Sequence, residues 1–174
     1  MRGRARQKLS PASIHAYVQT SLARIVGDWA KSRDAGAVGS EWRVRILPAG
    51  SNERRPLTPD VAFFSNERLA TISRRASKDV QFPPLAPDIA FEVISESDER
   101  ADVEAKRRDY LLAGSVRVVE IYPEHRMLRA WSSAADSDVV DARGTYTDSS
   151  FPGLEIRVAD LFASYDEFLA KLGD

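Results

Sequence analysis

Residues 87–114 read PDIAFEVISESDERADVEAKRRDYLLAG, and this stretch decides the fold class. It opens on Pro87-Asp88 and continues as Ile89-Ala90-Phe91-Glu92-Val93-Ile94, an apolar run broken only by Glu92. A run of that length after a proline reads as a buried β-strand. The spacing then changes. Val103, Lys106, Tyr110 and Ala113 fall on one stripe of a helix, and Gly114 is a suitable C-terminal stop. The next segment, VRVVEIY at 116–122, is apolar again and predicts a second strand.

The same pattern extends outward. On the N-terminal side, Ser10 suits an N-cap and Pro11 a first helical position. Ile14, Val18, Leu22, Ile25 and Trp29 recur every three or four residues, which predicts an amphipathic helix to about Lys31. Gly36 and Gly39 read as chain breaks, and Trp42, Val44 and Ile46 alternate with Arg43 and Arg45 as in a half-buried strand. Asp60-Val61-Ala62-Phe63-Phe64 is a further short strand, entered through Pro59. Residues 65–87, with Arg68, Arg74, Arg75 and Lys78, read as a long connection. Such loops are either functional or disordered, and the sequence leaves both open. On the C-terminal side, PEHR joins VRVVEIY to MLRAW as a hairpin, and a short strand lies near Val139-Val140. FPGLEI leads into a last helix from about Ala159 to Leu172, with Leu161, Phe162, Tyr165, Phe168 and Leu169 on one side. The order of elements is that of a mixed α/β (α+β) domain around a central sheet.

Composition sets the bounds. A chain of 174 residues with 43% apolar residues fits one domain, here residues 10–174 behind a basic tail at 1–9. Formal net charge is −1, so any nucleic-acid site must rest on local asymmetry. The absence of cysteine excludes disulfides, thiol catalysis and cysteine-held zinc, and fits a reducing cytoplasm. No apolar run approaches the length of a membrane span. The opening MRGRARQK has no apolar stretch after it, so it is not a secretory signal. It reads as a solvated tail or as an arm for nucleic-acid phosphates.

Three charges contradict their surroundings. Glu92 interrupts an apolar strand, and strand alternation puts it on one face with Asp88 and Ala90. A buried carboxylate is costly unless paired or metal-bound. Asp60 heads the other Pro-Asp strand, and Lys106 lies on the packing stripe of the helix that follows Glu92. Each has an ordinary reading: a solvated acid at a strand end, a Pro-Asp turn, a lysine that snorkels outward. Together they also suit phosphodiester hydrolysis. Two carboxylates hold Mg²⁺ (or Mn²⁺), the ion activates water and acts as a Lewis acid, and a nearby lysine stabilises developing charge.

The segment LAPDIAFEVISESDERADVEAKRRDYLLAGSVRVVEIYPEHRMLRAW resembles the core of the Uma family of restriction-endonuclease-like proteins, within the PD-(D/E)xK nuclease superfamily. SPASIHAYVQTSLARI resembles the family's first helix, TPDVAFFSNERL its first Pro-Asp strand, and FPGLEIRVADLF its closing strand and helix. The resemblance covers roughly residues 10 to 165. It implies a restriction-endonuclease-like fold, a central mixed sheet flanked by helices. It implies that Asp60 and Glu92 are the metal-binding acids, with the backbone carbonyl of Val93 as a further ligand. The superfamily's usual lysine, two residues past the second acid, is replaced here by Ile94. The resemblance implies that Lys106, from the next helix, takes its role. Asp88, His15 and Gln19 are secondary candidates. The chain also departs from the family pattern. It begins almost at the first helix, without the preceding segment that carries a Glu near a Gly. Glu120 and Tyr122 stand where the family has Trp and Asp before the hairpin proline.

The expected function is therefore that of a cytoplasmic, Mg²⁺-dependent endonuclease acting on DNA, and cutting two strands would suit a homodimer. The alternative is a nuclease-fold module that binds nucleic acid or a protein partner without turnover. A third reading is a metal-free domain whose acids face solvent.

Overall fold

The computed structural model describes residues 11–72 and 82–172. The basic tail, the Ser10 cap, and Arg74, Arg75 and Lys78 of the long connection lie outside them. The chain runs through helix α1 (Pro11–Ser32) and strands β1 (Gly36–Ser40), β2 (Val44–Ile46), β3 (Arg55–Leu57) and β4 (Val61–Ser65). Helix α2 (Asn66–Ala70), β5 (Ile89–Val93), helix α3 (Arg100–Leu112), β6 (Arg117–Tyr122) and β7 (Met127–Trp131) follow. Strands β8 (Ser137–Val140), β9 (Thr145–Thr147) and β10 (Glu155–Arg157) and helix α4 (Val158–Lys171) complete it. This is the α+β architecture the pattern predicts.

Six strands form the central sheet in the order β1-β4-β5-β6-β7-β8. Only the β5–β6 pair is parallel. A parallel pair needs a crossover, and α3 supplies it. Both faces of the sheet are covered. Ile89, Phe91 and Val93 pack with Val18, Leu22 and Val26 of α1 and with Leu161 and Phe162 of α4. On the other face, Ala62, Phe64, Ala90 and Val118 pack with Tyr110 of α3 and with Val44 and Ile46 of the β2–β3 ribbon. The stripe of α1 is rotated slightly from its sequence reading. Val26 and Ala30 sit in the core, whereas Ile25 and Trp29 flank it half-buried.

The largest departure from expectation is β1. Gly36 and Gly39 do not break the chain; they let it approach closely. A Cβ on Gly36 would stand 1.9 Å from the carbonyl oxygen of Phe64 on β4, and one on Gly39 would stand 2.9 Å from the Trp42 ring. Glycine in a strand often marks such an approach. The 65–87 connection also begins with structure: Ser65 caps α2 by accepting the Arg68 N–H. β9, which pairs with β10, has no clear periodic signal in its short TYT sequence. Among the described residues, no helix is long and apolar enough to cross a membrane.

Candidate active site

The site lies where β4 and β5 meet the face covered by α3. Val61 pairs with Phe91 in an antiparallel register, so one further step sets Asp60 beside Glu92. Asp60 is fixed through several atoms. Its backbone carbonyl accepts from Gln19 Nε2 at 3.0 Å and from the Glu41 N–H at 3.1 Å. Its Oδ2 accepts the Val93 N–H at 2.7 Å. The carboxylate is therefore held at the Glu92–Val93 peptide. His15, from α1, brings Nε2 to 3.4 Å from the same oxygen. Hydrogen bonding to Asp60 raises the His15 pKa, against burial, which lowers it; the charge of Asp60 adds to the rise.

Glu92 comes from the buried centre of the sheet, with only 7% of its surface exposed. Lys106 Nζ donates to Glu92 Oε2 at 2.6 Å and to the Thr58 carbonyl at 3.2 Å. Helical spacing explains the contact: Lys106 lies one turn before Tyr110 on the same α3 face, and the Tyr110 ring is fully buried against the sheet. Glu92 Oε1 is buried without a hydrogen-bond partner. The Tyr110 hydroxyl is close enough to favour the ionised carboxylate, yet it does not complete a hydrogen bond by distance and angle. Burial pushes the Glu92 pKa up to about 7, against the opposing pull of Lys106, and the negative charge of Asp60 adds to the rise.

These side chains line an open cleft of about 460 Å³, together with Val93, Asp98, Glu99, Asp102 and Arg107. The structure thus brings Asp60, Glu92, Lys106, Val93 and His15 to one place. Gln19 stands behind them, on the Asp60 backbone, and does not line the cleft. Asp88 lies apart. It shares a strand face with Glu92, but four residues of strand separate them by about 13 Å. Its carboxylate accepts from the Ser65 N–H and from Arg68 Nε, and Arg68 also bonds the carbonyls of Ala86 and Gly114. That cluster ties α2 to the ends of β5 and α3.

One charged group at the site has a different character. Glu120 is the parallel neighbour of Glu92 across the sheet and is 1% exposed. Both of its oxygens are engaged: Oε1 by Arg107 at 2.9 Å, Oε2 by the Tyr122 hydroxyl at 2.6 Å and Trp131 Nε1 at 2.8 Å. The guanidinium of Arg107 also stacks 3.8 Å from the Trp131 ring. Consecutive basic residues of α3 therefore serve neighbouring strands, Lys106 reaching Glu92 and Arg107 reaching Glu120. The signal for this pair, an acid in an apolar strand with an arginine on the preceding helix, is present in the sequence.

Among the described residues, no three His, Cys, Asp or Glu side chains gather as a metal-holding group. The side-chain donors available are the Asp60 and Glu92 carboxylates. That set fits Mg²⁺, which binds through one or two carboxylates and keeps several waters. The unpartnered Glu92 Oε1 and the raised proton affinity of Glu92 are the features a cation would relieve.

No curated protein matches the sequence. Among solved structures, the fold is similar to that of "a putative nuclease belonging to DUF820" from Anabaena variabilis. The TM-score is 0.73 at 19% identity, over 94% of this chain and 88% of that one. The sequence matches the Uma2 family model, described as "Putative restriction endonuclease", over residues 1–159. The chain therefore belongs to the Uma2 family.

Proposed function

We propose that the protein is a divalent-metal-dependent nuclease that hydrolyses DNA phosphodiester bonds at the Asp60–Glu92–Lys106 cleft. The observation that carries this reading is Glu92. It is a buried carboxylate with one oxygen that completes no hydrogen bond and that the Tyr110 hydroxyl only approaches, set beside a second carboxylate and a lysine. A purely structural acid in such a place would be saturated, as Glu120 is.

Asp60 and Glu92 would hold Mg²⁺ or Mn²⁺, with the Val93 carbonyl as a further oxygen donor. When bound, the ion supplies Lewis acidity and water activation. The chain's own residues do the rest. The Val93 N–H holds the Asp60 carboxylate in place, so the donor oxygens are oriented before substrate arrives. Lys106, anchored by the Thr58 carbonyl, keeps its ammonium at Glu92 Oε2. From there it can orient the attacking water and offset charge that builds on the phosphate oxygens. His15 is within reach of the Asp60 side of the cleft, where it can steady the carboxylate or contact a phosphate oxygen.

The test is cleavage of plasmid and single-stranded DNA with Mg²⁺ or Mn²⁺. Wild type should cut, and Glu92→Gln and Lys106→Ala should each lose roughly 100-fold or more, the loss typical of removing a group that acts on the reacting atoms. Activity unchanged by both substitutions would sink the assigned site.

A further inference from the structure

A groove of about 490 Å³ runs beside the cleft, between α3 and the β6–β7 turn. It shares Ile94, Asp98, Val103 and Arg107 with the cleft, so the two lie side by side. Its lining differs in character. Val103, Met127 and Trp131 contribute apolar surface, and the Tyr122 ring is held in place through its hydroxyl on Glu120. Arg107 and Arg129 stack on the Trp131 ring at 3.8 and 4.1 Å. The charge of Arg107 is matched by Glu120. Arg129 is held through Nε by Ser137 Oγ at 2.8 Å, and no carboxylate pairs with it among the described residues. Its charge is therefore available to a ligand. Glu96 and Glu124 also line the groove, but they border as well a small hollow beside His15 that Arg129 and Trp131 do not reach. Asp98, Arg100 and Glu104 line it too; Arg100 pairs with Glu104 at 2.8 Å, as Arg107 does with Glu120, so Arg129 is the groove arginine without a carboxylate partner among the described residues.

We propose that this groove holds an unpaired nucleotide of a single-stranded polynucleotide, whose adjoining phosphate lies in the Asp60–Glu92 cleft. The proposal rests on the nuclease reading and names its substrate class. A duplex keeps its bases stacked inside and offers the protein phosphates and groove edges. An unstacked base offers flat apolar faces with polar edges, which is what a hollow of apolar side chains, a fixed aromatic ring and an unmatched arginine accommodates. The volume lies in the range of pockets that take one small ligand. Because the groove adjoins the cleft along those four shared residues, neighbouring parts of one strand can occupy both.

Fluorescence anisotropy in EDTA, which prevents turnover, tests this with labelled oligothymidylate, oligouridylate and a DNA duplex of equal length. At least one single strand should bind about tenfold or more tightly than the duplex, and comparing the two strands identifies the sugar preferred. Arg129→Met keeps the stem on Trp131 and removes the charge; it should weaken single-strand binding roughly tenfold and leave duplex binding unchanged. Arg129→Lys should restore most of the loss. Should Arg129→Met lower the melting temperature, Met127→Ala provides the independent variant and should weaken the same strands. Equal or tighter duplex binding, no single-strand binding, or wild-type affinity in both variants overturns the proposal. Cleavage in Mg²⁺ separates the two readings. Cutting without single-strand preference overturns the groove and spares the nuclease; preference without cutting overturns the nuclease and spares the groove.

Discussion

Glu92 and Glu120 are the same residue type, on adjacent strands, at paired positions, both out of water. What separates them is hydrogen-bond saturation. Glu120 has three donors, and removing its charge leaves a guanidinium buried with little to balance it. Glu120→Gln should therefore destabilise the fold by about 3 kcal/mol. Glu92 is the reverse case. Its folded pKa, near 7, stands above its unfolded value, so the folded state binds more protons across that interval. The stability this contributes is fully present below pH 4.5 and is lost as pH rises through about 7. Without metal, Glu92 should cost wild type on the order of 3 kcal/mol between those limits, and Glu92→Gln should remove that share, leaving the loss in the same direction that the raised pKa of His15 brings. Urea unfolding in EDTA at pH 5 and pH 8 reads both effects; a wild type equally stable at the two pH values would contradict the second. Of these acids, the sequence made Glu92 legible because it interrupts an apolar run ahead of a helix that carries Lys106. Glu120 interrupts an apolar run just as plainly. Its partners Tyr122 and Trp131 lie on its own strand and the next, and strand register is not readable from spacing. Asp88 misled for the complementary reason: alternation shows the face a residue shares, but not how far along the strand it lies.

At the scale of elements, the long periodic segments were legible and the short close-packed ones were not. Helix α1 and helix α3 declare themselves by spacing, and β5 by its apolar run. β1 does not, because its glycines are dictated by what lies against them, the β4 backbone at Gly36 and the Trp42 ring at Gly39. That difference makes one substitution act in opposite directions. Gly36→Ala would press a methyl group into the Phe64 carbonyl, at a φ of +154° that side chains rarely adopt. Backbone must shift, and a loss of roughly 2–4 kcal/mol is expected. Gly27 lies inside α1 at ordinary helical φ, and a methyl group added there would meet nothing within 4 Å. Gly27→Ala should stabilise by about 0.5–1 kcal/mol. Thermal or urea unfolding of the pair measures both signs. Equal effects would mean that β1 does not approach β4 as closely as described.

At the scale of the whole molecule, the cleft presents an electrostatic problem. The chain carries a net charge of −1, and Asp60, Glu92, Asp98, Glu99 and Asp102 outnumber the cations that line the cleft beside them. Glu120 cancels Arg107, so Lys106 and a protonated His15 are what remain on the positive side. A phosphate approaching the metal-free cleft meets repulsion at short range, where screening by salt is least effective. A divalent ion on Asp60 and Glu92 reverses the local sign. The two states should therefore respond oppositely to the loss of one carboxylate. In EDTA at pH 8, above the Glu92 pKa, Asp60→Asn and Glu92→Gln should bind a single-stranded oligonucleotide more tightly than wild type, by roughly tenfold for about 1.4 kcal/mol of relieved repulsion. In Mg²⁺ the order should invert, because those variants no longer hold the ion that attracts the phosphate. Anisotropy titrations of the three proteins under both conditions decide the matter. Curves that keep the same order in EDTA and in Mg²⁺ would show that the carboxylates act on nucleic acid by charge alone, without an ion between them.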